Sequence, residues 1–202
     1  LRPCTLGDGV ENIDGELDKY VGIYEAESLS KKVIKFVPAS GAASRMFKEL
    51  LTVNGRGSEI NKDELNQASD SDSRAFLHFI DCLSQFAFVD ELKKSMAKDG
   101  FDLDSELAQG RYKPIADYTL GPVGLNYADL PKGIIEFHSY ENSSRTAFEE
   151  HLVEAKEYSK DGEHISRLHF AVSPEHIERV KDLLKSRIGY YKSDGSTFEI
   201  NY

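Results

Sequence analysis

Cysteine is scarce in this 202-residue chain: Cys4 and Cys82 stand far apart, with neither the paired spacing of a zinc site nor the even framework of a disulfide-stapled fold. They read as free thiols of a reducing compartment. Positive charge is also short, with 25 Lys and Arg against 35 Asp and Glu and a formal net charge of -10. Neutralising a duplex needs clustered basic side chains, so a general nucleic-acid surface is excluded. A small phosphorylated ligand is not, because one local pocket can be positive on an acidic protein. No apolar run approaches the roughly 20 residues that cross a bilayer, and no signal sequence is visible. These absences point away from membrane and nucleic-acid partners and toward a cytoplasmic location, with a length ample for one sizeable core.

Several chemistries lack their motifs. No Gly-Lys-Ser/Thr completes a Walker loop, Gly41 alone does not make a G-x-G-x-x-G fingerprint, and no Gly-x-Ser-x-Gly supports a serine hydrolase. The six histidines contain no His-x-x-x-His or His/Cys cluster and do not read as a metal site. His151 lies in a helical pattern and His169 alternates along a strand. His138 and Arg145 follow Lys132 closely enough to face a ligand with it, or to be a strand end and a surface cation.

What is present is a sharp β-to-helix switch. Val33, Ile34, Phe36 and Val37 have the β-branched and aromatic bias of a buried parallel strand, while Met46, Phe47, Leu50 and Leu51 recur at helical spacing. Between them stand Ala39, Ser40, Gly41, Ala42, Ala43 and Ser44, followed by Arg45. Small side chains let backbone N–H groups approach an anion, and a helix start adds about 0.3–1 kcal/mol of attraction. The Arg45 guanidinium offers a planar fork of donors for phosphate oxygens. The pattern predicts a phosphate cradle; the competing reading is a ligand-free turn of the kind many α/β proteins contain. Lys132, after Pro131 and before an apolar run from Gly133 to His138, reads as a cation at the mouth of the sheet or as a solvated turn lysine.

Pro38-Ala39-Ser40-Gly41-Ala42-Ala43-Ser44-Arg45-Met46 resembles the signature loop of sugar nucleotidyltransferases, Leu-Ala-Gly-Gly-x-Gly-Thr-Arg-Leu/Met, and Leu130-Pro131-Lys132-Gly133-Ile134-Ile135 resembles their second signature. More closely, Arg2 to Gly9, this loop, Leu130 to His138, Arg145 to Leu152 and Phe170 to His176, in that order, resemble the DUF4301 family over nearly the whole chain. The resemblance implies a nucleotide-diphospho-sugar transferase-like (Rossmann-like) fold and transfer of a nucleotidyl group from a nucleoside triphosphate to a sugar 1-phosphate, with release of pyrophosphate. It further implies substrate binding by Ala39 to Ser44, catalytic roles for Arg45 and Lys132 on the phosphates, and Mg²⁺ with no identifiable protein ligands. Ser40 and Ala43 replace the first and third glycines of the signature, so a loop requiring φ > 0 at Ala43 would be strained.

Along the chain, residues 1–31, where Gly7, Gly9 and Gly15 stand among scattered acids, read as an irregular N-terminal arm and residues 32–202 as the α/β domain, with a helical insertion at about 55–120. Phe76, Phe79, Ile80, Leu83, Phe86 and Ala87 predict one amphipathic helix. A helix from Thr146 with Glu149 as capping-box partner, a strand from Leu168 to Val172 and a helix opened by Ser173-Pro174 follow. The alternation predicts a three-layer sandwich whose mostly parallel sheet is covered on both faces. Thr197 to Tyr202 alternates as a half-buried strand and stops in mid-pattern, which predicts a domain incomplete at its C-terminus and a 202-residue chain without turnover of its own. The alternatives to an enzyme are a non-catalytic module that binds a nucleotide or sugar phosphate, and an interaction protein that works through the helical insertion.

Overall fold

Val37, Leu168, Phe170 and Phe198 fall on alternate positions of three short strands, and that alternation builds the central sheet. The computed structural model describes residues 2–68, 70–192 and 197–202. Their order is β1 (Thr5–Leu6), β2 (Gly9–Val10), α1 (Leu17–Ser28), β3 (Lys35–Pro38), α2 (Lys48–Asn54), α3 (Lys62–Ala68), α4 (Ser71–Asp81), α5 (Val89–Lys98), α6 (Leu103–Ala108) and α7 (Lys113–Leu120). Then come β4 (Glu136–Tyr140), β5 (Ser143–Thr146), α8 (Ala147–Tyr158), β6 (Ile165–Ala171), α9 (Ile177–Tyr191) and β7 (Thr197–Asn201). The chain is thus a mixed α/β fold whose central sheet is parallel, in the order β3-β6-β7.

Register decides which face is buried. Val37 lies opposite Phe170, Lys35 opposite Leu168, and Leu168 opposite Ile200, so all of these share one face. Phe148, Leu152 and Ala155 of α8 and Val180 and Leu184 of α9 pack onto it. The other face carries Ile34, 61% exposed, Phe36, 63% exposed, and an exposed His169 stacked on Phe36. The expected covering of both faces is therefore corrected: the second helical layer of a three-layer sandwich is not among the described residues. The reason is topological. Strands are added in one direction, from β3 to β6 to β7, and crossovers of one hand then place both helices on the same side; a doubly wound sheet needs a reversal of strand order.

The stretch expected to be a helical insertion has a core of its own, in which Phe76, Leu92, Met96, Ile115 and Leu120 are buried with Phe47, Tyr127, Leu130 and Ile135. The single helix expected through Ala87 ends at α4. A 3-10 turn at Leu83–Gln85 and an extended Phe86 follow, and the bend lets Phe86 stack on both Phe79 and Phe88. The N-terminal arm is not irregular throughout. It contains the 12-residue α1, which buries none of its residues and is pinned at its end where Gly162 N–H donates to Ser28 O.

Candidate functional site

The loop after β3 is sewn down on two sides. Ala39 N–H donates to Ala171 O at 2.8 Å, prolonging the pairing with β6, and Ser173 Oγ donates to Ser40 O at 3.3 Å. On the other side Lys132 N–H donates to Gly41 O at 2.8 Å and Ala43 N–H to Leu130 O at 3.0 Å, making an antiparallel bridge between Ala42 and Pro131. The two sequence signatures, far apart in the chain, are thereby in direct backbone contact. Among the described residues the N–H groups of Ser40, Gly41 and Ala42 have no protein acceptor.

None of residues 39–45 has a left-handed φ, so Ala43 carries no strain from replacing a glycine. Ala43 is fully buried in the helical core, which fixes the direction in which the loop leaves. Because Phe47 is buried there as well, the chain turns through residues 44–47 before α2 begins at Lys48. The expected helix start at Arg45 is corrected accordingly: α2 has seven residues and no side-chain cap, and its N-terminus is displaced from the loop. Arg45 is exposed, and among the described residues its guanidinium has no hydrogen bond or ion pair. Ser44 is half-buried.

A cavity of about 280 Å³ opens at the carboxyl end of β3, walled by Val37, Pro38, Ala39, Phe137, Ala147 and Phe148 and reached by Gly41, Lys132, Gly133 and His151. Ala39, Gly41 and Lys132 are thus brought together; Ser40, Ala42, Ala43, Ser44 and Arg45 do not line this cavity. Lys132 does not lead into a strand of the parallel sheet, as expected for the run from Gly133 to His138. It opens a 3-10 turn (Lys132–Ile134), after which β4 pairs antiparallel with β5 in a separate hairpin. Ile135 plunges into the helical core while Gly133 packs beneath Phe148, so this segment straddles both cores and cannot run on as a sheet strand.

His151 is the cavity residue that sequence reasoning passed over. Its Nδ1 lies 2.9 Å from Glu154 Oε2, the atom that also receives bonds from the Lys35 ammonium and, at 3.0 Å, from Tyr158 OH. Lys35 shares the buried sheet face with Val37, its side chain is 12% exposed, and its ammonium stands 4.5 Å over the Tyr158 ring. Burial opposes the Glu154 charge, but the bonds from Lys35, His151 and Tyr158 outweigh it and bring the carboxyl down to about 2. Burial likewise opposes the Lys35 charge; the bonds to Glu154 and Tyr158 prevail and raise it above the usual lysine range. The signal was present in the sequence as His151, Glu154 and Tyr158 at spacings of three and four on one helix.

His138 and Arg145 are paired across the β4–β5 hairpin and lie outside the cavity lining; Arg145 stacks on Tyr140 at 4.2 Å and donates to Glu150. The Mg²⁺ implied by resemblance finds no fit. The cavity lining contains no carboxylate, and among the described residues no group of three or more His, Cys, Asp or Glu converges. Cys4 and Cys82 are free thiols, and among the described residues no helix is long and apolar enough to cross a membrane.

Residues 1–202 match the family model described as a domain of unknown function, DUF4301. No curated protein and no solved structure matches. The chain belongs to the DUF4301 family.

Proposed function

We propose that this DUF4301 chain holds the phosphate-binding part of a nucleotidyltransferase site, in which a nucleotidyl group passes from a nucleoside triphosphate to a sugar 1-phosphate. The observation that carries the reading is the junction of the two signatures: Lys132 N–H bonds Gly41 O, and both residues reach one cavity. A phosphate oxygen of the sugar 1-phosphate attacks the α-phosphorus, the bond to the β-phosphate oxygen breaks, and pyrophosphate leaves. Such transfer depends on positioning and charge neutralisation more than on covalent catalysis. The unpaired N–H groups of Gly41, at the cavity, and of Ser40 and Ala42, on either side of it in the chain, supply that neutralisation with the Lys132 ammonium, and the exposed Arg45 guanidinium, outside the cavity lining, meets the pyrophosphate end. The nucleotide-diphospho-sugar transferase-like architecture belongs to the same proposal. A loop at the carboxyl end of a parallel strand supports it, and the one-sided covering of the sheet does not.

A second reading is favoured by the volume of about 280 Å³ and by the absence of Arg45 from the lining. Small-ligand pockets run from roughly 300 to 1,000 Å³, so this one suits a sugar phosphate better than a triphosphate, as a non-catalytic binding module would require. The test is a pyrophosphate-release screen of nucleoside triphosphates against sugar 1-phosphates, with calorimetric binding, on this chain, on the full-length natural protein, and on Lys132→Ala of each. Release that depends on Lys132 supports the transferase. Binding without release by the full-length protein selects the module, and no binding of any phosphate by either rejects both.

A further inference from the structure

The Lys35–Glu154–Tyr158–His151 cluster does more than hold a strand to a helix. Glu154 receives bonds from the Lys35 ammonium and from Tyr158 OH, and the positive partner keeps it ionised. An ionised carboxylate only accepts hydrogen bonds. The 2.9 Å contact between Glu154 Oε2 and His151 Nδ1 therefore carries its proton on Nδ1. In the neutral ring the lone pair is then on Nε2, and in the charged ring Nε2 becomes a donor. Among the described residues Nε2 has no partner, and the ring lines the cavity. The charged and titratable groups around it are Lys132 from the 3-10 turn, Lys35 from β3, and Glu154 and Tyr158 from α8; β6 contributes the Phe170 ring, 6.3 Å away.

We propose that His151 Nε2 is the proton-exchanging contact of this cavity, that it and Lys132 hold the phosphate of a sugar phosphate between them, and that Glu154 is the positioning residue for the ring. The inference rests on the phosphate reading above and deepens it by naming the sugar phosphate, not the nucleotide, as the occupant. A phosphate monoester loses its second proton at roughly pH 6. In the complex the phosphate is a dianion and the ring an imidazolium facing the Glu154 carboxylate: a ligand that arrives as the monoanion passes its proton from a phosphate oxygen to Nε2, whereas one that arrives as the dianion, as at pH 8, leaves Nε2 to take its proton from solvent; no bond to phosphorus changes. The apolar walls formed by Val37, Ala39, Phe137 and Phe148 strengthen the resulting ion pair by excluding water. In the transfer reaction the sugar 1-phosphate is thereby delivered as its more nucleophilic dianion.

The test is calorimetric titration with α-glucose 1-phosphate at pH 8, above the range in which imidazole ordinarily titrates, in two buffers of different ionisation enthalpy. The wild-type chain takes up close to one proton for each ligand bound. His151→Gln keeps its circular dichroism spectrum, binds about ten-fold more weakly, as loss of a charged hydrogen bond implies, and takes up none. Glu154→Gln binds with reduced uptake. Phosphorus-31 spectra taken at pH 5.5 give a second readout: the bound phosphate is dianionic on the wild-type chain and not on His151→Gln. Equal proton uptake by His151→Gln and wild type overturns the role of His151 and leaves the phosphate reading standing. Binding by the wild-type chain without proton uptake does the same. No binding by the wild-type chain, of this ligand or of inorganic phosphate, overturns both.

Discussion

Replacing Gly133 by Ala would set a Cβ 2.7 Å from Phe148 Cε2, 3.1 Å from Cδ2 and 3.3 Å from Cζ. The obstacle is not a flexible side-chain end. Phe148 is 1% exposed and packs edge-on against Phe170 with ring centroids 5.1 Å apart, so the ring cannot retreat without opening the sheet core. Overpacking of this kind costs about 1–3 kcal/mol, which for a domain of this size lowers the melting temperature by roughly 2–12 °C. Gly41 is the matched control, because a Cβ there meets nothing within 4 Å and its φ is not left-handed. Gly41→Ala restricts the unfolded chain and should leave stability unchanged or raise it by about 0.4–1 kcal/mol. The two substitutions should divide in the opposite sense for ligand. Gly41→Ala fills space beside the unpaired N–H groups and weakens α-glucose 1-phosphate binding in calorimetry, while urea unfolding reports no loss of stability. Equal destabilisation by the two, or full ligand affinity in Gly41→Ala, would refute the assignment of Gly133 to packing and Gly41 to the ligand.

Thr146 accepts from Glu149 N–H at 3.2 Å while Glu149 Oε2 accepts from Thr146 N–H at 2.9 Å, so Thr146→Ala removes the capping box of α8. It should cost about 0.5–2 kcal/mol in urea unfolding. Arg45→Ala should leave α-glucose 1-phosphate affinity within about two-fold, because an exposed cation outside the cavity lining is screened, and weaken triphosphate binding; Lys132→Ala should weaken both in calorimetry. Glu154 titrates at about 2 in the folded chain, below its unfolded value of roughly 4.3. The stability it contributes is therefore complete above the unfolded value and fades as pH falls toward 2, and the stability gap between wild type and Glu154→Gln should close across that window. Lys35, raised when folded, works in the other direction: its contribution is complete below the usual lysine value and is lost only as pH rises beyond it.

What could be read from the residues was what neighbours in sequence decide. The capping box from Thr146 to Glu149, the alternation that buries Phe198, and the switch from strand to small-residue loop are all local, and each stands where the pattern put it. The Leu17, Val21 and Tyr24 spacing of α1 was equally local, but Gly7, Gly9 and Gly15 beside it argued for an irregular arm. The covered face of the sheet is of another kind: it depends on the order in which distant strands are added, which no window of residues contains. Lys35 shows where the boundary lies. It has the same parity as Val37, so a buried strand face puts its ammonium indoors, and a buried ammonium demands a carboxylate. That much follows from alternation alone. Nothing in the sequence says which of 35 acids answers it; the parallel register of β3 on β6, with α8 laid across the same face, selects Glu154. Once Glu154 is chosen, helical spacing brings in His151 three residues before it, so the cavity's imidazole follows from a strand parity and a helix period joined by one tertiary contact.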